Sequence, residues 1–149
     1  MEIIKLTPKD TLDFKNLVEI FNEVFENNNE IPNDSHLSKL LANSDFRVFV
    51  VKLNSKVIGG LTMYILHGYY SIKPTAYIYD VGIIPPFQGQ GYGKALLKYV
   101  CTYCEENGFE EAYVEAESED LDAVNFYRKT NFSTEMNATH FTYNFKNEN

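Results

Sequence analysis

The segment "PPFQGQGYGKALLKYV", Pro85 to Val100, decides how this chain is read. It follows the apolar run Thr75 to Ile84 and sets Gly89, Gly91 and Gly93 at alternate positions before a helix-like apolar pattern. A strand-to-helix junction leaves backbone N–H groups without helical partners, and the helix dipole makes that end positive. Helices ordinarily take acids in their first turn. This one carries Lys94 and Lys98 and no acid, so its start is left open for an external anion. Glycines remove the side chains that would hold a phosphate away from the amides. The structural alternative is a plain tight turn with incidental lysines.

Two phosphate motifs fail here. A P-loop requires glycine, four residues, then Gly-Lys-Ser/Thr; here Gln88 stands at the first glycine and Ala95 at the hydroxyl. A dinucleotide fingerprint requires Gly-x-Gly-x-x-Gly, and its last place falls on Lys94 or Leu96. Nucleotide hydrolysis and hydride transfer are set aside on these grounds.

The remaining elements follow outward from the loop. Glu2 to Leu6 reads as a first strand. Phe14, Leu17, Val18, Phe21, Val24 and Phe25 recur at helical steps and mark one buried face. Asp34 or Ser35 can cap a shorter helix carrying Leu37, Leu40 and Leu41. Phe46 to Leu53 and Val57 to Leu66 are strands joined by a tight turn at "NSK", and Thr75 to Ile84 is a fourth strand. The helix after the glycine loop stops near Asn107-Gly108, "EEAYVEAE" is a fifth strand, and Asp120 can cap a late helix through Lys129. "FSTEM" and "HFTYNF" read as a closing hairpin. A strand–helix–strand crossover makes the fourth and fifth strands parallel.

Bulk properties narrow the function. The 149 residues suit one domain, 1–149, with a real core. The net charge of -8 argues against nucleic acid and anionic membranes as partners and suits a small cationic one. No membrane span or signal peptide is read, and Cys101 and Cys104 give no disulfide framework, so a cytoplasmic location is expected.

Gln88-x-x-Gly91-x-Gly93 resembles the pyrophosphate-binding signature of the GNAT superfamily of N-acetyltransferases, and the element order matches that fold along nearly the whole chain. The runs "YIYD", "AVNFYRKTNF" and "THFTYNF", with the early "FNEVFEN…PNDSHLSKLL", resemble the aminoglycoside 3-N-acetyltransferase branch. Two positions depart from it: the loop is less basic at Gly89 and Gln90, and the usual glycine before the late phenylalanine is Asn131. The resemblance implies an α/β fold: a mixed, mostly antiparallel sheet of about seven strands, helices on both faces, and a splayed, parallel fourth and fifth strand. It implies acetyl-CoA as cofactor, its pyrophosphate on the N–H groups of Gln88, Gly89, Gln90, Gly91, Tyr92, Gly93 and Lys94. The pantetheine arm would bond the main chain of Val81, Gly82 and Ile83, with Asp120 and Phe126 also beside the coenzyme. Gly82 suits a bulge or a close ligand approach. A tyrosine at the place of Tyr127 donates a proton to the coenzyme sulfur in this family.

Acetyl transfer to an amine needs a neutral amine, a stabilised oxyanion and a protonated leaving thiol. Asp80 stands in an apolar strand, sharing a face with Ile78 and Gly82 on period two, and can bind an ammonium group and take its proton. Its structural alternative is an acid that holds backbone N–H groups or a lysine. A strand N–H at Val81 or Ile83 is the oxyanion donor. Tyr127 remains protonated at neutral pH, as an acid must; its alternative is an aromatic core filler. Glu115 to Asp122 carries five acids in eight residues. Glu117, Glu119 and Glu26, with Glu30 near it, are candidate substrate carboxylates, or simply a solvated acidic surface. His36, His67 and His140 lack metal spacing, and Cys101-x-x-Cys104 lies inside a helix, so no metal or redox site is expected. Tyr69 and Tyr70 can line a substrate mouth or a homodimer surface. The expected reaction is acetylation of an aminoglycoside amine. The alternatives are a polyamine or other small-amine acetyltransferase and a non-catalytic acyl-CoA sensor.

Overall fold

The computed structural model describes residues 1–146. The chain divides into two compact units, Met1–Glu115 and Ala116–Asn149. The first holds β1 (Glu2–Lys5), α1 (Thr11–Val24), α2 (Asp34–Ala42), β2 (Phe46–Leu53), β3 (Lys56–Leu66), β4 (Thr75–Ile83), a single 3-10 turn (Pro85–Phe87), α3 (Tyr92–Glu106) and β5 (Glu111–Val114). The second holds α4 (Leu121–Arg128).

The sheet has the order β1-β2-β3-β4-β5. Its first three pairings are antiparallel and β4 pairs β5 in parallel, as the crossover through α3 requires. The β2–β3 hairpin closes on Leu53↔Lys56, with Asn54 and Ser55 at φ 49° and 65°, the two left-handed residues that such a tight turn demands.

Helices cover both faces of this sheet. At Gly60 an added Cβ would lie 3.0 Å from Leu17 of α1, whereas Met63 meets Cys104 of α3 at 3.8 Å. On the α1 and α2 face, Phe14, Leu17, Phe21 and Leu37 bury against Phe46, Val48 and Val50. On the α3 face, the ring of Phe49 meets those of Tyr99 and Tyr103 at 6.2 and 5.1 Å, and Leu61, Leu96 and Val100 are fully buried. The apolar spacing of α1 thus finds its core through Phe14, Leu17, Ile20 and Phe21.

Two expectations are corrected. Asn33, not Asp34 or Ser35, caps α2: its side chain accepts from the His36 N–H at 3.0 Å, and Asp34 becomes the first helical residue. The sheet has five strands among the described residues, not about seven. "FSTEM" and "HFTYNF" form no strand, and their large side chains are exposed, Tyr143 by 81% and Phe145 by 92%. Alternating apolar residues describe a strand's side chains, but a strand exists only where a neighbour takes its N–H and C=O groups.

Gly60 in β3 and Gly68 beyond its end give a stability test. A Cβ on Gly60 would collide with the carbonyl oxygen of Phe49 and crowd Leu17, whereas one on Gly68 would meet nothing within 4 Å. Gly60→Ala is expected to lower unfolding free energy by about 2–3 kcal/mol in denaturant titration, and Gly68→Ala to change it by less than about 0.5 kcal/mol.

Candidate active site

The site begins where β4 loses its neighbour. Pairing with β5 runs from Thr75↔Glu111 to Ile78↔Val114, so among the described residues Tyr79 to Ile83 of β4 have no strand on that edge. On the other edge the register slips: Leu61 pairs Val81, but Met63 pairs Ile78. β4 therefore carries one more residue than β3 across this interval, a bulge at Tyr79–Asp80 opposite Thr62. The bulge corrects two expectations. Ile78, paired with Met63, faces α3, while Gly82, paired with Gly60, faces α1, so Asp80 cannot share one face with both. Gly82 is also not the bulge itself. A Cβ there would sit 3.3 Å from the Phe21 ring, and its bare backbone lets α1 approach the strand.

From the end of β4 the chain enters the glycine loop. The Gln88 amide donates to Pro85 O at 3.1 Å, and its side-chain Nε2 donates to Ile83 O at 2.8 Å. Gln88 thus latches the loop to the strand, and the open amides start one residue later than expected. From Gly89 through Lys94 no amide has an acceptor among the described residues; the next, of Ala95, donates to Gly91 O at 3.0 Å. Gly89 and Gly91 sit at φ 75° and 89°, in the left-handed region that glycine enters without strain, and the space beside each is open. The first turn of α3 has no acid. Six unpaired donors at a positive helix end fit a diphosphate. The edge at Val81, Gly82 and Ile83 has no paired strand among the described residues, although the Ile83 carbonyl is taken by Gln88, and it fits an extended amide-bearing arm.

Asp80 is half-buried, and burial raises its carboxyl above the ordinary value. Its charge, after burial and Tyr79, helps raise the Tyr64 hydroxyl. Around it lies an aromatic array that the sequence reading did not assemble. Its ring-to-ring distances are 5.0 Å for Phe46–Tyr64, 5.6 Å for Tyr64–Tyr79, 5.7 Å for Tyr79–Tyr77 and 4.7 Å for Tyr77–Tyr113. Burial, then the Glu115 carboxylate beside it, pushes the Tyr77 hydroxyl up to about 12. The signal available in sequence was the alternation Tyr77, Tyr79 beside Asp80. Glu26 follows the C-cap of α1, Phe25, in an exposed left-handed turn, φ 54°.

The second unit places the remaining candidates. Asp120 caps α4, accepting from the Ala123 N–H at 3.2 Å. Phe126 and Tyr127 are half-buried on that helix with rings 5.1 Å apart, and Glu117 and Glu119 are exposed before it. Arg128 holds Glu135 through two bonds of 2.9 Å. Burial raises both cysteine thiols, that of Cys104 to about 11, so neither is a thiolate at neutral pH. Among the described residues no group of three or more metal-ligating side chains occurs, and no helix is long and apolar enough to cross a membrane.

Comparison with known proteins agrees with this geometry. The model of the acetyltransferase (GNAT) family matches residues 14–132. An aminoglycoside acetyltransferase, meta-AAC0020, from an uncultured soil metagenomic sample was solved in complex with trehalose. It is 43% identical, covers 97% of this chain and 96% of its own, and superposes with a TM-score of 0.95. The same acetyltransferase in complex with sisomicin gives 42% identity, the same coverage and a TM-score of 0.95. A second aminoglycoside acetyltransferase, HMB0005, also from an uncultured soil metagenomic sample, shares the fold at 21% identity, with 97% and 98% coverage and a TM-score of 0.90. No curated protein matches the sequence. The chain belongs to the GNAT family of acetyltransferases, and is an acyl-CoA-dependent N-acetyltransferase.

Proposed function

We propose that this enzyme moves an acetyl group from acetyl-CoA to the 3-N amine of an aminoglycoside. The observation that carries the reading is the likeness, at 43% identity over 97% of the chain, to an aminoglycoside acetyltransferase. The net charge of -8 supports a polycationic acceptor.

Acetyl-CoA supplies the acetyl group already activated as a thioester. The amides of Gly89 to Lys94 hold its diphosphate, and the open edge at Val81, Gly82 and Ile83 bonds its arm. Either the Val81 or the Ile83 N–H donates to the carbonyl oxygen as negative charge develops there. Asp80 binds the acceptor ammonium and takes its proton, directly or through water. Tyr127 keeps a proton on its hydroxyl for the departing sulfur. Asp120 and Phe126 serve the coenzyme, while Glu26, Glu117 and Glu119 draw the acceptor's charges.

The reading is tested by following thiol release from acetyl-CoA against aminoglycosides, polyamines and peptides, with mass spectrometry and NMR locating the new acetyl group. Turnover on deoxystreptamine aminoglycosides at the 3-amine is expected; turnover on polyamines alone, or at another amine, would overturn it. For Asp80→Asn, turnover should fall by about 10²–10⁴-fold while coenzyme A affinity measured by calorimetry holds. In the wild type the acid limb of kcat/KM should lie above the ordinary carboxylate value, since burial raises Asp80. The same raised pKa makes the ionised carboxylate a cost to the fold at neutral pH, a cost that disappears below pH 3.8. Asp80→Asn should therefore unfold at the same or a higher temperature at pH 7, and equal losses of stability and coenzyme binding would make Asp80 structural. Tyr127→Phe, which keeps the ring, should lower kcat by about 10²-fold with little change in KM for acetyl-CoA; full activity would return Tyr127 to a packing role.

A further inference from the structure

The tyrosines beside Asp80 are placed for more than packing. Tyr79 occupies the bulge next to Asp80 and is 55% exposed. Tyr64 and Tyr77 stand edge to face with it, at interplanar angles of 85° and 79°, so their contacts fix the plane of its ring. Tyr77 in turn stacks on Tyr113 at 9°, extending the aromatic surface onto β5. Carboxylates lie at both ends: Asp80 acts on Tyr64, and Glu115 on Tyr77 and Tyr113. A ring so exposed contributes little to a core. Held rigidly, it loses little conformational entropy when a ligand lies on it.

The chemistry of such a surface is selective. An aromatic face attracts cations through its quadrupole and covers the C–H face of a saturated ring by dispersion. Carboxylates flanking it bind ammonium groups at the ring's margin. A flexible acyclic polyamine satisfies the charges but presents no flat face. An amino-substituted sugar or cyclitol ring satisfies both.

We propose that Tyr79, braced by Tyr64 and Tyr77, is the platform on which an ammonium-bearing ring of the acceptor lies, with Asp80 and Glu115 at its margins, and that this platform selects cyclic over acyclic amines. The inference rests on the aminoglycoside reading and adds a specificity residue to it. It is tested with the full chain, wild type, Tyr79→Phe and Tyr79→Leu, by steady-state kinetics and calorimetry with sisomicin and with spermidine. Tyr79→Thr, which suits an exposed strand, replaces the leucine variant should the latter not fold. Loss of the ring face in Tyr79→Leu is expected to raise KM and Kd for sisomicin about tenfold while kcat changes less than about threefold. Tyr79→Phe should stay within about twofold of wild type. The KM for acetyl-CoA and any value for spermidine should be unmoved by either change. Unchanged sisomicin affinity in Tyr79→Leu, or an equal loss in Tyr79→Phe, would overturn the platform while leaving the acetylation reading intact. Sisomicin that binds through Tyr79 without being acetylated would uphold the platform and sink that reading. Absence of both binding and turnover with sisomicin overturns both.

Discussion

The site depends on the brevity of the pairing between β4 and β5. Parallel pairing stops at Ile78↔Val114, after four residues, while β4 runs on to Ile83. Beyond that point β4 is held only by β3 on one edge and by packing on its faces. An open edge inside a sheet is a liability in an isolated fold, because it invites any strand that can pair with it. Here the edge leads through the turn Pro85–Phe87 to a loop whose six amides from Gly89 to Lys94 have no acceptor among the described residues. The open edge and the loop amides are two separate sets of main-chain groups, joined by a turn whose own groups are paired: Ile84 N–H to Ile58 O, Phe87 N–H to Ile84 O and Gln88 N–H to Pro85 O. Two such sets in succession along the chain suit a long ligand with an amide-rich arm at one end and a diphosphate at the other better than they suit any short anion.

Charge reinforces the arrangement. The chain is acidic, yet its acids avoid the first turn of α3. Had an aspartate capped this helix, as Asp120 caps α4, its carboxylate would have occupied the amides and repelled a phosphate. Gly91 as N-cap offers no such side chain. Gln88 contributes differently, by tying the loop to Ile83 O, so that strand edge and amide cluster are fixed to each other. On the proposed reading the acids serve the other partner, a cation.

Much of this was legible in the sequence because it is local. The spacing of Phe14, Leu17 and Phe21 required an amphipathic helix, Asn54-Ser55 a tight hairpin, and the glycines before Tyr92 an open helix start. Asp80 stood out as a carboxylate in an apolar strand and is half-buried with a raised pKa. What was not legible is what arises between strands. A bulge is a mismatch in count between β3 and β4, and no property of β4 alone reveals it. It reversed the face assigned by simple alternation from Ile78 to Gly82. The aromatic array draws Phe46, Tyr64, Tyr77, Tyr79 and Tyr113 from four strands and exists only once register is set. The closing hairpin failed for the same reason in reverse: Phe141, Tyr143 and Phe145 alternate as a strand should, but alternation carries no information about a pairing partner.

The features that form the site each oppose the stability of the unliganded protein. Asp80 carries a charge that burial disfavours. The bulge interrupts the ladder, and among the described residues the loop amides go without protein acceptors and Tyr79 to Ile83 of β4 lack a strand on one edge. A sequence selected for stability alone would remove all four, and the tightly packed cluster of Phe14, Leu17, Phe21 and Leu37 shows that this chain packs well elsewhere. Their concentration within Tyr79 to Lys94 has a single physical explanation. On the proposed reading each would be relieved by a different part of the reacting pair: the diphosphate would take the amides, the pantetheine arm the edge, and the acceptor's ammonium would neutralise the half-buried carboxylate. A ligand that binds only the folded state returns in binding free energy what the empty fold lacks. On that reading the local violations of good folding practice in this protein would outline its two substrates, in main-chain groups without protein partners and one charge that burial disfavours.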